Sequence, residues 1–360
     1  MNTGNAASAL PSGGTPSPVD WGVAASTAQR LIRSGPSVPR EEAEAAVREL
    51  RVLSRAAEQH VREVTGLGQD LPLLDGQVVD RRGWVQAACE GLSVLTENAL
   101  PSSLPRPLAA VVSGTSGVQA GMVLAYLSTR VLGQYDPFGG EGGRLVLVAP
   151  NIVAAQRAMD VPATDFSMWV CLHESTHRLQ FTAVPWLRGY FSEQVGNLLS
   201  AVDDSAIGAA NRIPDMVRAA KDRLRGISSA DASPVALIEL IQSPEQRAVL
   251  DRLIALSTLL EGHADHVMDA VGPAVVPSVV TLRNRFSARR KGGGLLDRVL
   301  RAVLGVEAKV RQYAEGAAFT GHVVDAAGMA GFNHVWDRPE TLPTRAEIAD
   351  PDLWLRRVLG

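Results

Sequence analysis

Residues 164–183 make two demands that few folds can meet together. The segment reads as one helix: Thr164 or Asp165 can cap its start and Pro185 stops it. Apolar side chains (Phe166, Met168, Trp169, Val170, Leu172, Leu179 and Phe181) surround it, so it belongs in a core. Its middle, however, is His173-Glu174-Ser175-Thr176-His177. Residues four apart share a helical face, so two imidazoles enter the interior side by side with a carboxylate next to them. Burying these groups without a partner is costly, and a metal ion supplies one. Two histidines at this spacing can hold one zinc, with Glu174 placed as general base beside the water that the zinc would acidify. With this composition an accidental H-E-x-x-H arises in about one chain in 150.

A catalytic zinc site needs a third protein ligand and an open fourth position. The strongest donor stretch is Leu260-Glu261-Gly262-His263-Ala264-Asp265-His266, on a helix predicted over 244–270. Glu261 and Asp265 share a face, so Glu261 can ligate while Asp265 accepts the second ring N–H of a liganding histidine. His263 projects to the opposite side and His266 lies well off the Glu261 face; both stay open as alternative third ligands.

The rest of the chain sets limits. A net charge of −3 over 360 residues excludes a basic nucleic-acid binder or a polybasic membrane protein. Cys89 and Cys171 are too few for a disulfide framework and read as buried thiols in a cytoplasmic protein. Residues 1–18 are uncharged and rich in Gly, Ser, Pro and Ala, which predicts a disordered tail and no signal peptide. Pro107 to Thr129 carries no charged residue, but its Ser, Thr, Gln and Gly content favours a buried helix over a membrane span.

Helical periodicity also covers 22–33, 40–64, 83–100, 107–132, 151–159, 306–330 and much of the chain beyond Leu187, with breaks near 212–214, 226–234, 271–277, 290–294 and 336–343. One strand stands out, 144–149, after a glycine-rich turn at 133–143 that lacks a phosphate-binding Lys-Ser/Thr. That strand is expected at the sheet edge beside the motif helix, where an extended peptide could add to it. The expected architecture is mainly α with a small β-sheet: one domain over 19–360, with a helical part at 19–132 and a metal-site part at 144–333.

With these residues in place, the sequence resembles the zincin superfamily, in the branch where H-E-x-x-H is completed by a downstream E-x-x-x-D helix. More narrowly it is similar to an actinobacterial family of zinc-dependent hydrolases associated with deazaflavin-coenzyme biosynthesis. The matching stretches include VDWGVAASTAQRLI, VVDRRGWVQA, GVQAGMVLAYLSTRVLGQYDPF, LVLVAPNIV, WVCLHESTHRLQFTAVPWLR, LLEGHADHVMDAVG and QYAEGAAF. The resemblance implies a zincin-like metallopeptidase fold, His173, His177 and Glu261 as zinc ligands, and Glu174 as base. Two features depart from the branch: a charged residue, Arg178, directly follows the second histidine, and 83 residues separate His177 from Glu261.

Amide hydrolysis also needs an oxyanion or proton donor. Tyr313 and His322 on the 306–330 helix are the candidates, with Tyr190 and His266 behind them. Gln180 and Trp186 line the cleft or simply pack. His60, Asp203 and Asp204 read as solvated surface, and His334 has no assigned place. The expectation is a zinc metallohydrolase acting on a peptide or another amide-containing substrate, with no nucleic-acid or membrane partner. The alternatives are a catalytically silent zincin-like binding module with a structural metal or none, and an enzyme acting directly in deazaflavin biosynthesis.

Overall fold

A computed structural model of the chain describes residues 19–97, 106–140, 142–199, 244–291 and 306–360. The described architecture is mainly helical with one small sheet. In chain order it comprises α1 (Trp21–Leu31), α2 (Arg40–Thr65), β1 (Gln77–Val79), α3 (Arg81–Glu97), α4 (Arg106–Leu127), β2 (Gly133–Asp136), β3 (Arg144–Val148), α5 (Ala149–Met159) and α6 (Ala163–Thr182). A further helix, α7, covers 187–199. Then come α8 (Pro244–Val271), α9 (Val279–Lys291), α10 (Val306–Phe332), α11 (Arg345–Ala349) and α12 (Pro351–Val358). The sequence-predicted breaks at 212–214 and 226–234, together with Asp203 and Asp204, lie outside the described residues.

The sheet order is β1-β3-β2, with β1 parallel and β2 antiparallel to β3. β3 is therefore the central strand, which corrects its expected place at the edge; the edge strand beside α6 is β2. The physical reason lies in its composition. Leu145 and Leu147 enter a core built with α2, α5 and α6. Val146 and Val148 enter a second core with α1, α3 and α4. Side chains alternate across a strand, so a continuous apolar run marks a strand covered on both faces. The glycine-rich segment expected as a turn begins as β2, and β1 has no strand signal of its own; both become strands by pairing with β3.

A third core joins α8, α10 and the C-terminal helices through Leu256, Leu259, Phe319, Phe332, Trp336 and Trp354. Glycine permits two close helix approaches. A Cβ on Gly117 or Gly121 would stand 2.6 Å from the carbonyl of Asp20 or Ala24, so α4, uncharged after Arg106, lies directly against α1. On the other side Gly262 meets Gly316, whose own Cβ would fall 2.1 Å from the Thr258 carbonyl. That second contact sets the height of α8 next to Glu261. No described helix is long and apolar enough to cross a membrane.

A buried ion triad holds α6 to α2. Glu58 accepts from Arg62 one turn along α2 and from Arg178 of α6, each at 2.5 Å. All three side chains are buried. Arg62 also donates to the carbonyls of Leu71 and Pro72, and Arg178 to that of Leu74. The charge after the second histidine thus points away from the motif face and anchors its helix from behind.

Candidate metal centre

α6 crosses α8 so that His173, His177 and Glu261 converge. The two Nε2 atoms are 3.2 Å apart, and a Glu261 carboxylate oxygen lies 3.5 Å from His173 Nε2 and 3.8 Å from His177 Nε2. Zinc bonds of about 2.0–2.2 Å in tetrahedral geometry put neighbouring ligand atoms about 3.3–3.6 Å apart. The three donors therefore already stand near the corners of a zinc site. The imidazole planes are nearly perpendicular, at 87°, which lets both rings aim at one point. Among the described residues this is the one group of three His, Cys, Asp or Glu side chains whose donor atoms all lie within 4.8 Å of one another. Two nitrogens and one carboxylate oxygen match the donor preferences of zinc, so the residues present fit the ion.

Without metal, the charges of the cluster act on each other. Burial works against the His177 imidazolium, but the carboxylates of Glu261 and Glu174 outweigh it and raise its pKa to about 9. Burial would push the Glu261 carboxyl up, but hydrogen bonds from both histidines hold it well below the usual carboxylate range. Glu174 behaves in the opposite way. Its burial, reinforced by the nearby Glu261 carboxylate, raises its pKa despite the two histidines and the backbone N–H of Tyr135. A carboxyl with raised affinity for protons is suited to take one and pass it on.

β2 supplies the other wall. Val148 N–H donates to the Leu132 carbonyl at 2.8 Å. By the alternation of antiparallel ladders, the peptide groups of Gly133 and Tyr135 then face away from β3. That direction is toward α6, and the Tyr135 N–H reaches Glu174. A Cβ on Gly133 would lie 2.6 Å from Glu174 Cγ, so glycine is required for the strand to lie this close. The centre opens into a cleft of about 770 Å³, walled largely by apolar side chains including Leu132, Phe138, Met159, Trp169 and Phe181, with Arg130 and Arg283 also lining it.

The other sequence candidates divide. Asp265 lines the cleft, and its backbone carbonyl accepts from Arg283. Among the described residues no hydrogen bond joins its carboxylate to either histidine; the ring Nδ1 of His177 faces Gln180 at 2.9 Å. His322 stands at the surface, paired with Asp352 at 2.8 Å, and is not among the residues lining the cleft. The side chain of Tyr313 lies outside the described residues. Tyr190 packs on Trp186, whose indole N–H donates to the Trp336 carbonyl. His263 is buried beside Phe332 and Trp336, and His266 is absent from the cleft wall. The contributions of Gly133 and the Tyr135 N–H have no side-chain signature; position 180, three residues after His177 on the same helix, is the one visible sign of a histidine partner.

The family model described as zincin-like metallopeptidase matches residues 19–355. Among solved structures, the chain is similar to a crystal structure from Chloroflexus aurantiacus titled as "a putative hydrolase with a novel fold". The two share 31% identity with a TM-score of 0.68 over 94% of this chain and 98% of the other. No curated protein matches the chain.

Proposed function

Since the chain belongs to the zincin-like metallopeptidase family, we propose that it is a zinc-dependent hydrolase that cleaves a peptide or other amide bond in the cleft between α6 and β2. The observation that carries this reading is the near-tetrahedral spacing of the His173, His177 and Glu261 donor atoms next to a buried Glu174. Zinc held by these three residues would acidify a water and polarise the scissile carbonyl. Glu174 takes the proton from the attacking water on its carboxylate and delivers it to the leaving nitrogen. The Tyr135 N–H keeps that carboxylate oriented toward the cleft.

The outer edge of β2 runs along the same cleft, and its outward Gly133 peptide groups and Tyr135 carbonyl, the Tyr135 N–H being held by Glu174, suit an extended substrate that pairs as an added strand. The apolar wall favours substrates with large apolar side chains. Both cysteines are free and buried, which supports a reducing compartment and hence the cytoplasm. The association with deazaflavin coenzyme rests on resemblance alone; a deletion strain that still makes the coenzyme removes it.

Metal analysis and a peptide-library digest test the proposal. The expected result is about one zinc per chain, lost in His173→Ala and Glu261→Ala, with turnover abolished in Glu174→Gln while its zinc remains. Failure of the protein to take up zinc on reconstitution overturns the metal assignment. Zinc uptake with equal, background-level hydrolysis in the parent protein and Glu174→Gln overturns the enzymatic reading in favour of a silent binding module.

A further inference from the structure

The amide of Gln180 touches two of the helices that carry ligands. Gln180 is fully buried on α6. Its Nε2 donates to the backbone carbonyl of Leu260 at 2.9 Å and stands 3.0 Å from Nδ1 of His263, while its Oε1 stands 2.9 Å from Nδ1 of His177. Leu260 immediately precedes Glu261. One side chain therefore joins the second histidine of the motif to the backbone beside the carboxylate ligand.

The direction of each bond follows from the Leu260 carbonyl, because a carbonyl can only accept. The amide nitrogen must face it, so the amide oxygen must face His177. An oxygen acceptor requires His177 Nδ1 to carry a proton in every state, so once the ring is neutral or metal-bound it is Nε2, the atom directed at His173 and Glu261, that offers the lone pair. The same logic makes His263 Nδ1 the acceptor of the second amide hydrogen. That bond is enclosed by Phe332 and Trp336, with ring centroids 5.0 and 5.6 Å from that of His263. A flipped amide would set its oxygen 2.9 Å from the Leu260 carbonyl oxygen, a repulsive contact that stands whichever tautomer His263 adopts.

We propose that Gln180 is a positioning residue that fixes the tautomer and ring orientation of His177 for metal binding and locks its height relative to Glu261. The proposal rests on the zinc site assigned under the proposed function. It gives Gln180 the orienting role for which sequence reasoning selects Asp265. Residues that accept the distal N–H of a liganding histidine commonly alter metal affinity by about 10–100-fold when removed.

Two variants and two measurements test it. Gln180→Met keeps the volume but removes the acceptor and both donors; Gln180→Glu keeps an acceptor for His177. In chelator competition with zinc alone, Gln180→Met is expected to bind about 10–100-fold more weakly than the parent, and Gln180→Glu to recover most of the loss. A purely structural role predicts no rescue by glutamate, because the bond to Leu260 is lost in both variants. The second measurement needs no metal. Histidine 15N spectra of the zinc-free protein at alkaline pH, where the rings are neutral, are expected to show His177 as the Nδ1–H form, assigned with His177→Ala, and a mixture of forms in Gln180→Met. Unchanged zinc affinity in Gln180→Met, or an Nε2–H form of His177 in the parent protein, overturns the positioning role. If the parent protein takes up no zinc, the metal site fails, and the tautomer spectra still decide what Gln180 does.

Discussion

Replacing Glu58 by alanine strands two guanidinium groups in the interior. Arg62 and Arg178 are only 8% and 3% exposed, and the carboxylate between them is the anion that both contact at 2.5 Å. Breaking a buried pair from one side typically costs about 3–5 kcal/mol, because the remaining charge loses its partner without regaining water. Here each arginine keeps a backbone carbonyl of the 71–74 segment, which holds the expected loss within that range. An unfolding entropy of about 2.1 cal/mol/K per residue, taken over the 360-residue chain, is about 0.76 kcal/mol/K. Glu58→Ala should therefore lower the melting temperature by about 4–7 °C. Arg178→Met in the Glu58→Ala background should cost far less than Arg178→Met alone, since the pair is already broken. Differential scanning calorimetry of the parent and three variants measures both quantities. A shift below about 1 °C for Glu58→Ala, or simple additivity of the two substitutions, refutes the view that this triad is what ties α6 to α2.

Three further outcomes rest on the same geometry. Gly316→Ala forces a Cβ to within 2.1 Å of the Thr258 carbonyl, and chemical denaturation should register a loss of about 1–3 kcal/mol from overpacking; an unchanged midpoint refutes the backbone-level contact between α8 and α10. For pH, the His177 pKa is raised in the zinc-free fold to about 9 from a typical unfolded value of about 6.5. Its contribution is thus fully present below about pH 6.5 and lost as pH rises through about 9. The melting temperature of the zinc-free protein should fall across that window, while the increment produced by added zinc should grow as protons cease to compete; a zinc-free melting temperature that rises over the same window contradicts the cluster. Burial raises the thiol pKa of Cys171 above its ordinary value and that of Cys89 to about 11, so a thiol reagent at neutral pH should label neither in the native protein and both after unfolding.

Much of the helical framework is legible from apolar spacing because each helix carries its own signal. α2 opens on Glu41 and Glu42 and closes on Gly66 in the left-handed region, as helix dipole and capping rules require. α6 is legible for a different reason: an apolar surround isolates the polar motif. β1 and β2 are not legible, because a three- or four-residue strand is defined by its partner and not by its own composition. The burial of β3 on both faces, by contrast, is legible in its unbroken apolar run from Leu145 to Val148. The inward face of the site divides similarly. Histidine and glutamate side chains announce donor chemistry at a spacing, whereas a backbone N–H from Tyr135 and a missing Cβ at Gly133 leave no mark until the strand is docked. Arg178 shows the reverse case: its charge is visible, but the buried carboxylate that requires it lies 120 positions earlier in the chain.

The contact between Gly133 and Glu174 has a consequence for reading related sequences. Any side chain at 133 competes for the space that Glu174 Cγ occupies, so the two positions form one unit although they sit on different elements. A relative that keeps His173, His177 and Glu261 but carries a larger residue at 133 must have displaced or replaced its glutamate. Position 133 is therefore a marker, readable without a structure, for dividing relatives that can seat the proposed base at 174 from those that keep only the proposed metal ligands.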